Sequence, residues 1–247
     1  MIDLSQRETA ALELMDDPAC DPDALRRTYQ HFALVNRLVS GWRSTYVRRL
    51  RPLIRQRERE TGRPATLLDV GCGGGDVARS LASWARRDGL RLKVTGVDPD
   101  ARAHDFAMSQ PPVPCLTFER TASRDLVAAG RVFDLVISNH VVHHLDTEAL
   151  EGLLHDSERL AVGLVVHGDI ARGRVAYGAY RVATTGTFRG SFIHDDGLLS
   201  IRRSYRPAEL QAVVPAGWRV ERQGPFRVLL TFEPARRHEP AREARRA

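Results

Sequence analysis

The sequence predicts an α/β protein with a doubly wound, largely parallel sheet of seven strands. Beyond Thr61-Gly62-Arg63-Pro64, short apolar runs alternate with stretches of helical periodicity, as buried parallel strands and their crossover helices do. The last two runs meet at Gly224-Pro225 without room for a helix, which predicts an antiparallel hairpin at one edge of the sheet. The predicted strands are 65–70, 92–97, 113–118, 133–138, 160–167, 218–225 and 228–232.

Helices are predicted between these strands, where apolar residues recur at a period near 3.6. Their expected bounds are 76–87, 101–109, 147–159, 174–185 and 207–214.

Residues 1–62 are predicted to form a helical N-terminal lid. Asp21-Pro22-Asp23 has the cap, proline and acid typical of a helix start, and apolar residues follow at helical spacing. Gly41 is expected to separate this helix from a second one, which carries an arginine-rich face. The chain is thus divided into the lid 1–62, a domain 63–234 with a lid insertion at about 172–206, and a disordered tail 235–247 that is poor in apolar residues.

Composition places the chain among ordinary globular proteins. Its 247 residues are 43% hydrophobic and 28% charged, enough for one sizeable core. Its cysteines, Cys20, Cys72 and Cys115, match neither a disulfide framework nor paired zinc ligands, so a reducing compartment is expected. Because no export signal and no membrane-spanning apolar run is evident, we expect a cytoplasmic protein without an integral membrane segment.

The net charge of +6 is typical of proteins that bind a nucleic acid or an anionic surface. Much of the excess lies on the arginine face between Arg43 and Arg59 and in the tail 235–247. Aromatic residues are not interleaved with these arginines and no recognition module is evident, so no nucleic-acid partner is expected. The remaining hypothesis is that the arginine face docks an acidic partner or membrane, and a homodimer is left open.

A glycine-rich turn, Asp69-Val70-Gly71-Cys72-Gly73-Gly74-Gly75-Asp76, follows the first predicted strand and opens a helix. In this setting a glycine turn lets the backbone approach a nucleotide. A dinucleotide fingerprint would place its last glycine at Asp76, and a carboxylate at a helix start repels a pyrophosphate. The turn therefore favours a nucleoside ligand without phosphates.

These residues are similar to the glycine motif of the class I S-adenosylmethionine (SAM) dependent methyltransferases. Gly96-Val97-Asp98-Pro99-Asp100 places an acid at the end of the second strand, where that family binds the ribose hydroxyls. The stretch 133–145 resembles the fourth-strand motif of small-molecule members. The segment from Tyr29 to Arg43 is loosely similar to the N-terminal helices of ubiquinone and menaquinone C-methyltransferases.

The resemblance implies a Rossmann-like fold, SAM as cofactor and a set of cofactor-binding residues. It implies that Asp98 binds the ribose, that the backbone of Gly71 and Gly73 binds the methionine end, and that Asp69 binds its ammonium. Thr121 stands where many relatives have an acid for the adenine amino group. The full expected set is Arg43, Asp69, Gly71, Cys72, Gly73, Gly75, Asp98, Pro99, Thr121, Ala122, Asn139 and His140, with Cys72 favoured as a packing residue.

Three histidines are candidates for catalysis. Methyl transfer is an in-line displacement, so the protein mainly positions the nucleophile and excludes water. His143 or His144, after the fourth strand, is expected to act as base or orienting group, the alternative being that one of them caps a helix in the interior. His194 precedes Asp195-Asp196-Gly197 in the lid insertion, a sequence that is somewhat more typical of a turn. No metal is expected, because these residues lack a ligand spacing.

The predicted function is methyl transfer from SAM to oxygen or carbon of a small, flat acceptor such as a phenol, quinone or aromatic polyketide. Two alternatives remain from the sequence. One is an NAD(P)-dependent oxidoreductase, and the other is a SAM-binding interaction protein without catalysis.

Overall fold

A computed structural model describes residues 2–234, and the predicted tail 235–247 lies outside the described residues. Its centre is a seven-stranded sheet in the order β3-β2-β1-β4-β5-β7-β6. Among the described strands, β7 runs opposite to the other six and pairs antiparallel with both β5 and β6. The predicted sheet with its terminal hairpin is thus confirmed. The strands are β1 Ala65–Val70, β2 Leu92–Val97, β3 Leu116–Glu119, β4 Phe133–Asn139, β5 Ala161–Ile170, β6 Arg219–Arg222 and β7 Arg227–Phe232.

Helices cover both faces of this sheet. A π-helical turn, Tyr46–Leu50, joins α2 to α3, and single 3-10 turns occur at Leu14–Asp16 and Val142–His144. Two of the helices, Ser123–Ala128 and Ile193–Arg203, were not predicted from the sequence. The helices are α1 Pro22–Val39, α2 Trp42–Thr45, α3 Arg51–Thr61, α4 Asp76–Arg87, α5 Ala101–Ser109, α6 Ser123–Ala128, α7 Thr147–Leu160, α8 Arg174–Thr184, α9 Ile193–Arg203 and α10 Pro207–Val213.

The N-terminal residues differ from the prediction. Residues 2–20, here called the strap, contain no helix beyond the turn Leu14–Asp16, so the expected helical lid begins only at Pro22. The side chains of Arg172 and Arg206 donate hydrogen bonds to the Leu4 carbonyl at 3.1 and 2.7 Å. Because distant side chains satisfy its backbone, the strap has no need of helical hydrogen bonds.

Two apolar layers hold the sheet between the helices. One layer packs Tyr46, Leu50 and Leu81 from the N-terminal helices and α4 against β1 and β4. The other packs Leu154 and Trp218 with the chain around α7, α10 and the terminal hairpin. Burial on both faces is what makes the strands near-continuous apolar runs in sequence.

Part of the arginine face between Arg43 and Arg59 forms ion pairs within the molecule. Arg51 pairs with Asp88 at 3.4 Å and Arg57 with Asp134 at 2.6 Å, and Arg49 pairs with Glu221. These pairs tie α3 and the turn before it to the sheet, which weakens the idea of a free docking face. Within residues 2–234, no helix is long and apolar enough to cross a membrane.

Candidate active site

A cavity of about 1340 Å³ opens at the carboxyl ends of the parallel strands. Its walls come from the glycine turn, the residues after β2, β3 and β4, the helices α1, α8 and α9, and the strap. The carboxyl edge of a doubly wound sheet is the usual place for a ligand. Typical ligand pockets measure about 300–1000 Å³, so this cavity is large enough for two ligands side by side.

Glycines bring bare backbone to one end of the cavity. Gly71 and Gly73 line it with φ of 64° and 52°, a region that favours glycine. A Cβ on Gly71 would lie 2.7 Å from Val141, whereas one on Gly73 would meet nothing within 4 Å. Gly75 lies outside the cavity lining, and its Cβ would meet the Phe118 ring at 2.4 Å. Gly75 therefore lets the start of α4 pack closely against Phe118, and the structure does not bring it to the cavity with Gly71 and Gly73.

Asp69 is a buried carboxylate without a partner. Its exposed fraction is 1%, and neither carboxylate oxygen has a hydrogen-bond partner among the described residues. Burial, followed by the charges of Asp76 and Asp98, raises its pKa well above the usual value. Asp76, which also lines the cavity, accepts a hydrogen bond from Asn36 at 3.0 Å, and burial raises its pKa too. This acidic end suits a cationic group such as an ammonium.

Asp98 is held rigidly beside the glycine turn. Its Oδ2 accepts a hydrogen bond from the Gly73 backbone N–H at 2.9 Å, and its Oδ1 accepts one from Asp100 N–H, also at 2.9 Å. Burial raises its pKa. Pro99 lines the cavity next to it. Cys72 is buried and burial raises its thiol pKa, which agrees with packing rather than thiolate chemistry.

The expected adenine-side residues, Thr121 and Ala122, also line the cavity. The Thr121 hydroxyl and the Ala122 N–H both point to the Asp125 carboxylate, at 3.4 and 3.2 Å. An acid therefore does lie near this place, four positions further along, but it is exposed and outside the cavity lining.

Asn139 and His140 close the end of β4, and both line the cavity. The Trp42 indole N–H donates to Asn139 Oδ1 at 2.8 Å, which anchors α2 to this strand. His140 has a left-handed backbone with φ of 58°, and its N–H donates to the Gly168 carbonyl at 2.9 Å. Burial lowers the pKa of its imidazole to about 3, so that the ring is neutral at pH 7.

Beyond His140, two histidines meet three carboxylates in what we call the histidine–carboxylate cluster: Glu13, Asp16, His143, His144 and Asp169. His143 Nδ1 bonds to Asp169 Oδ1 at 2.7 Å, and its Nε2 lies 3.4 Å from Glu13 Oε1. Although burial opposes a charge on His143, the carboxylates of Asp169 and Glu13 raise its pKa to about 10. In return, the pKa of Asp169 is lowered despite complete burial. Without another ligand, His143 is therefore a cation at neutral pH.

His144 is the more accessible member of the cluster. Its Nδ1 lies 3.0 Å from Asp16 Oδ2, and its Nε2 lies 3.8 Å from Glu13 Oε2. Arg7 donates to the carbonyl of His143 at 2.9 Å, and Arg203 donates to that of His144 at 3.2 Å. These bonds fix the short turn that carries both histidines. The Arg203 side chain is buried.

Two expected site residues lie elsewhere. Arg43 stacks over the rings of Tyr46 and Trp84, at 5.4 and 5.2 Å, outside the cavity lining. His194 also lies outside it, with Nδ1 at 2.7 Å from the Thr184 hydroxyl. The structure therefore does not bring Arg43 and His194 to the cavity with the other expected site residues.

The Asp195-Asp196-Gly197 sequence is helical rather than a turn. Both acids stand in the first turn of α9, where the helix dipole favours negative charge. The Asp196 carboxylate also accepts hydrogen bonds from the backbone N–H groups of Leu14 and Met15, at 2.7 and 3.0 Å. This tertiary contact with the strap is absent from any local turn pattern. Asp196 lines the cavity, and burial raises its pKa to about 6.

The cavity wall facing the glycine turn and the cluster is mostly apolar. Four aromatic residues of the lid insertion are Tyr177, Tyr180, Phe188 and Phe192, and of these only Tyr180 lines the cavity. Its hydroxyl donates to the Ile193 carbonyl at 2.7 Å. The apolar lining comprises Tyr29, Phe32, Val35, Val39, Ala176, Ala179, Tyr180, Ala183, Ile193 and Ile201.

Comparison with known proteins agrees with this geometry. Residues 67–162 match the family model described as a methyltransferase domain. A ubiquinone biosynthesis O-methyltransferase of Methylobacterium sp. is 37% identical over 86 residues, and one of Cereibacter sphaeroides is 36% identical over 81 residues. Each match covers 32% of this chain and 30% of the relative. The alignment with these relatives thus spans less than a third of their length.

Among solved structures, the plantazolicin methyltransferase BpumL in complex with SAH superposes with a TM-score of 0.52 at 12% identity, over 86% of this chain and 96% of that one. At 12% identity, this similarity is evidence for the fold alone. The strand order and the glycine turn define an α/β fold of the class I methyltransferase type. The match over residues 67–162 to a methyltransferase domain agrees with this fold and with the resemblance of the glycine turn to that of the class I SAM-dependent methyltransferases.

Proposed function

We propose that this protein transfers the methyl group of SAM to oxygen, or to carbon, of a small aromatic, quinone or polyketide-like acceptor. The observation that carries the proposal is the single cavity of about 1340 Å³, which has an acidic, glycine-lined end and an apolar wall beside the histidine–carboxylate cluster. Two ligands of different chemistry fit such a cavity.

The acidic end fits the cofactor. When bound, SAM supplies an electrophilic methyl group on a sulfonium. Asp98 would hold the ribose, Gly71 and Gly73 would present backbone to the methionine part, and Asp69 with Asp76 would bind the ammonium. The orphaned oxygens of Asp69 are the observation that tests this fit, because a buried carboxylate is costly until a cation meets it.

The apolar wall fits the acceptor. The helices α1, α8 and α9 supply its apolar side chains, and a flat apolar ring can lie against Tyr180 and its aliphatic neighbours. The cluster is the polar place at which an acceptor hydroxyl would bind. With Nδ1 turned to Asp16, Nε2 of His144 is the nitrogen left to face the acceptor, while His143 is positioned by Asp169. A polar cluster at this place favours oxygen over carbon as the nucleophile.

Ligand binding separates this proposal from the alternatives. Calorimetric titration with SAM and its demethylated product should show saturable binding, whereas NAD and NADP should not bind. Ligand at about 100 times its Kd should stabilise the fold by about 2.7 kcal/mol. Stabilisation by NAD alone would favour the oxidoreductase and overturn the proposal.

Catalysis is tested with methyl-labelled SAM and a panel of phenols, hydroxyquinones and aromatic polyketides. Label should enter an acceptor, and mass spectrometry should show the gain of one methylene. His144→Ala should lower kcat by about 10²- to 10⁴-fold, the usual range for a general base, with SAM affinity unchanged. His194→Ala is the matched control, because His194 lies outside the cavity and should retain activity. SAM binding without transfer to any acceptor would instead favour the interaction protein.

A further inference from the structure

The histidine–carboxylate cluster contains three side chains whose free atoms converge. Glu13 is 2% exposed and His143 is 1% exposed, and both line the cavity together with His144. One ligand atom from each of the three lies within 4.8 Å of the other two. We propose that Glu13, His143 and His144 bind a divalent transition-metal ion of the zinc type.

The surroundings of the His143 Nε2 atom support metal binding. It lies 3.4 Å from Glu13 Oε1, yet it makes no hydrogen bond with any described residue, although it is fully buried. The proton that Nε2 carries in the ligand-free protein therefore donates no hydrogen bond to a described residue, and a bound metal ion would take its place. An ion bound about 2.1 Å from each ligand in a tetrahedron separates ligand atoms by about 3.4 Å. The 3.4 Å between His143 Nε2 and Glu13 Oε1 suits that geometry, and the other carboxylate oxygen of Glu13, Oε2, lies 3.8 Å from His144 Nε2.

The surrounding carboxylates orient the imidazoles as metal sites require. Asp169 bonds to Nδ1 of His143 at 2.7 Å, and Asp16 bonds to Nδ1 of His144 at 3.0 Å. Both rings therefore turn Nε2 toward Glu13. A carboxylate on the second nitrogen is the usual partner of a metal-bound histidine. The Ser200 hydroxyl donates to Glu13 Oε1 at 2.8 Å and orients the third ligand.

A neighbouring set, His140, His143 and Asp169, also brings three candidate atoms together. It suits a metal less well. The 2.7 Å between His143 Nδ1 and Asp169 Oδ1 is a hydrogen-bond distance, shorter than the separation of about 3.0 Å between adjacent ligands of an octahedral ion. Asp169 is therefore an orienting group and Glu13 a ligand.

The ligand chemistry selects the ion. Two imidazole nitrogens and one carboxylate suit zinc, iron(II) or cobalt(II), whereas magnesium and calcium prefer oxygen ligands throughout. Three protein ligands leave a position open toward the cavity. An ion at this position would bind the acceptor oxygen in place of His144 and lower the pKa of the acceptor hydroxyl. This role in catalysis rests on the proposed function, whereas metal binding by the three side chains does not.

Metal titration of the purified full chain, with any affinity tag removed, tests the proposal. After chelation and dialysis, the protein should bind one zinc ion by calorimetry, and excess magnesium should not displace it. Glu13→Gln and His144→Ala should each weaken binding by more than about 100-fold, and Asp169→Asn by about 10- to 100-fold. His155→Ala, which removes an exposed histidine elsewhere on α7, should leave the affinity unchanged.

Cobalt(II) adds a spectroscopic readout, since a site of this kind gives visible absorption bands that Glu13→Gln should abolish. SAM affinity, measured in each variant, shows whether it has folded. Absence of stoichiometric zinc binding, or binding that survives in both Glu13→Gln and His144→Ala, would overturn the inference. Either result leaves SAM binding and methyl transfer to be judged on their own assays.

Discussion

Replacing Asp69 with asparagine tests two separate effects of this carboxylate: its effect on the free energy of unfolding and its contribution to the affinity for SAM. The carboxylate is 1% exposed and has no hydrogen-bond partner among the described residues. A hydrogen bond between charged groups contributes about 1.5–3 kcal/mol, so the variant should bind SAM about 10- to 150-fold more weakly. Without ligand, it should be more stable than the wild type by about 1–3 kcal/mol at pH values above the folded-state pKa of Asp69, because an unpaired buried charge has been removed there.

The pH dependence of Asp69 has a defined sign. Its pKa is raised in the folded protein, mainly by burial, so its contribution to stability is present in acid and is lost as pH rises through the folded-state pKa. Asp69→Asn should remove this decline. Binding of an ammonium should also expel any proton held by Asp69, which makes the heat of SAM binding depend on the ionisation enthalpy of the buffer.

Denaturant unfolding and isothermal calorimetry provide both measurements. Asp105→Asn is the matched control, because that carboxylate is 82% exposed and should change neither quantity. Equal SAM affinity in wild type and Asp69→Asn would refute the assignment of the ammonium to Asp69. Lower stability of the ligand-free variant would refute the view that the carboxylate is an uncompensated charge.

Two further predictions concern the turn and the strap. Gly71→Ala should lower the free energy of unfolding by more than the roughly 1–2 kcal/mol of a left-handed alanine, because its Cβ also meets Val141 at 2.7 Å. Gly73→Ala also places alanine in a left-handed backbone, but its Cβ would meet no other atom within 4 Å. In the same denaturant assay, its free energy of unfolding should therefore fall by no more than that roughly 1–2 kcal/mol. Asp196 has a pKa raised to about 6 by burial, so its contribution to stability should be present below pH 3.8 and lost by about pH 6. Thermal unfolding should show a shallower decline over that range in Asp196→Asn, and an unchanged slope would contradict the burial argument.

The sheet could be predicted because its signal is local. Strands buried on both faces appear as continuous apolar runs, and β1, β2 and β4 begin where those runs begin. The sequence-based predictions were wrong at positions where contacts distant in the chain override the local pattern. Asp195-Asp196-Gly197 has turn chemistry, yet Asp196 starts a helix and bonds to Leu14, 182 positions away in the chain.

The sequence by itself determined the α/β class, the glycine turn with Asp69 and Asp98, and the histidines after β4, because each depends on neighbours along one strand and the turn after it. Only the tertiary structure decided which of the expected residues share a cavity. It places Arg43, Gly75 and His194 outside the cavity lining, and it brings Asp76 to one end of the cavity and Glu13 to the other. Glu13 lies on a strap without periodicity, so its meeting with His143 depends on the path of the whole chain across the sheet edge.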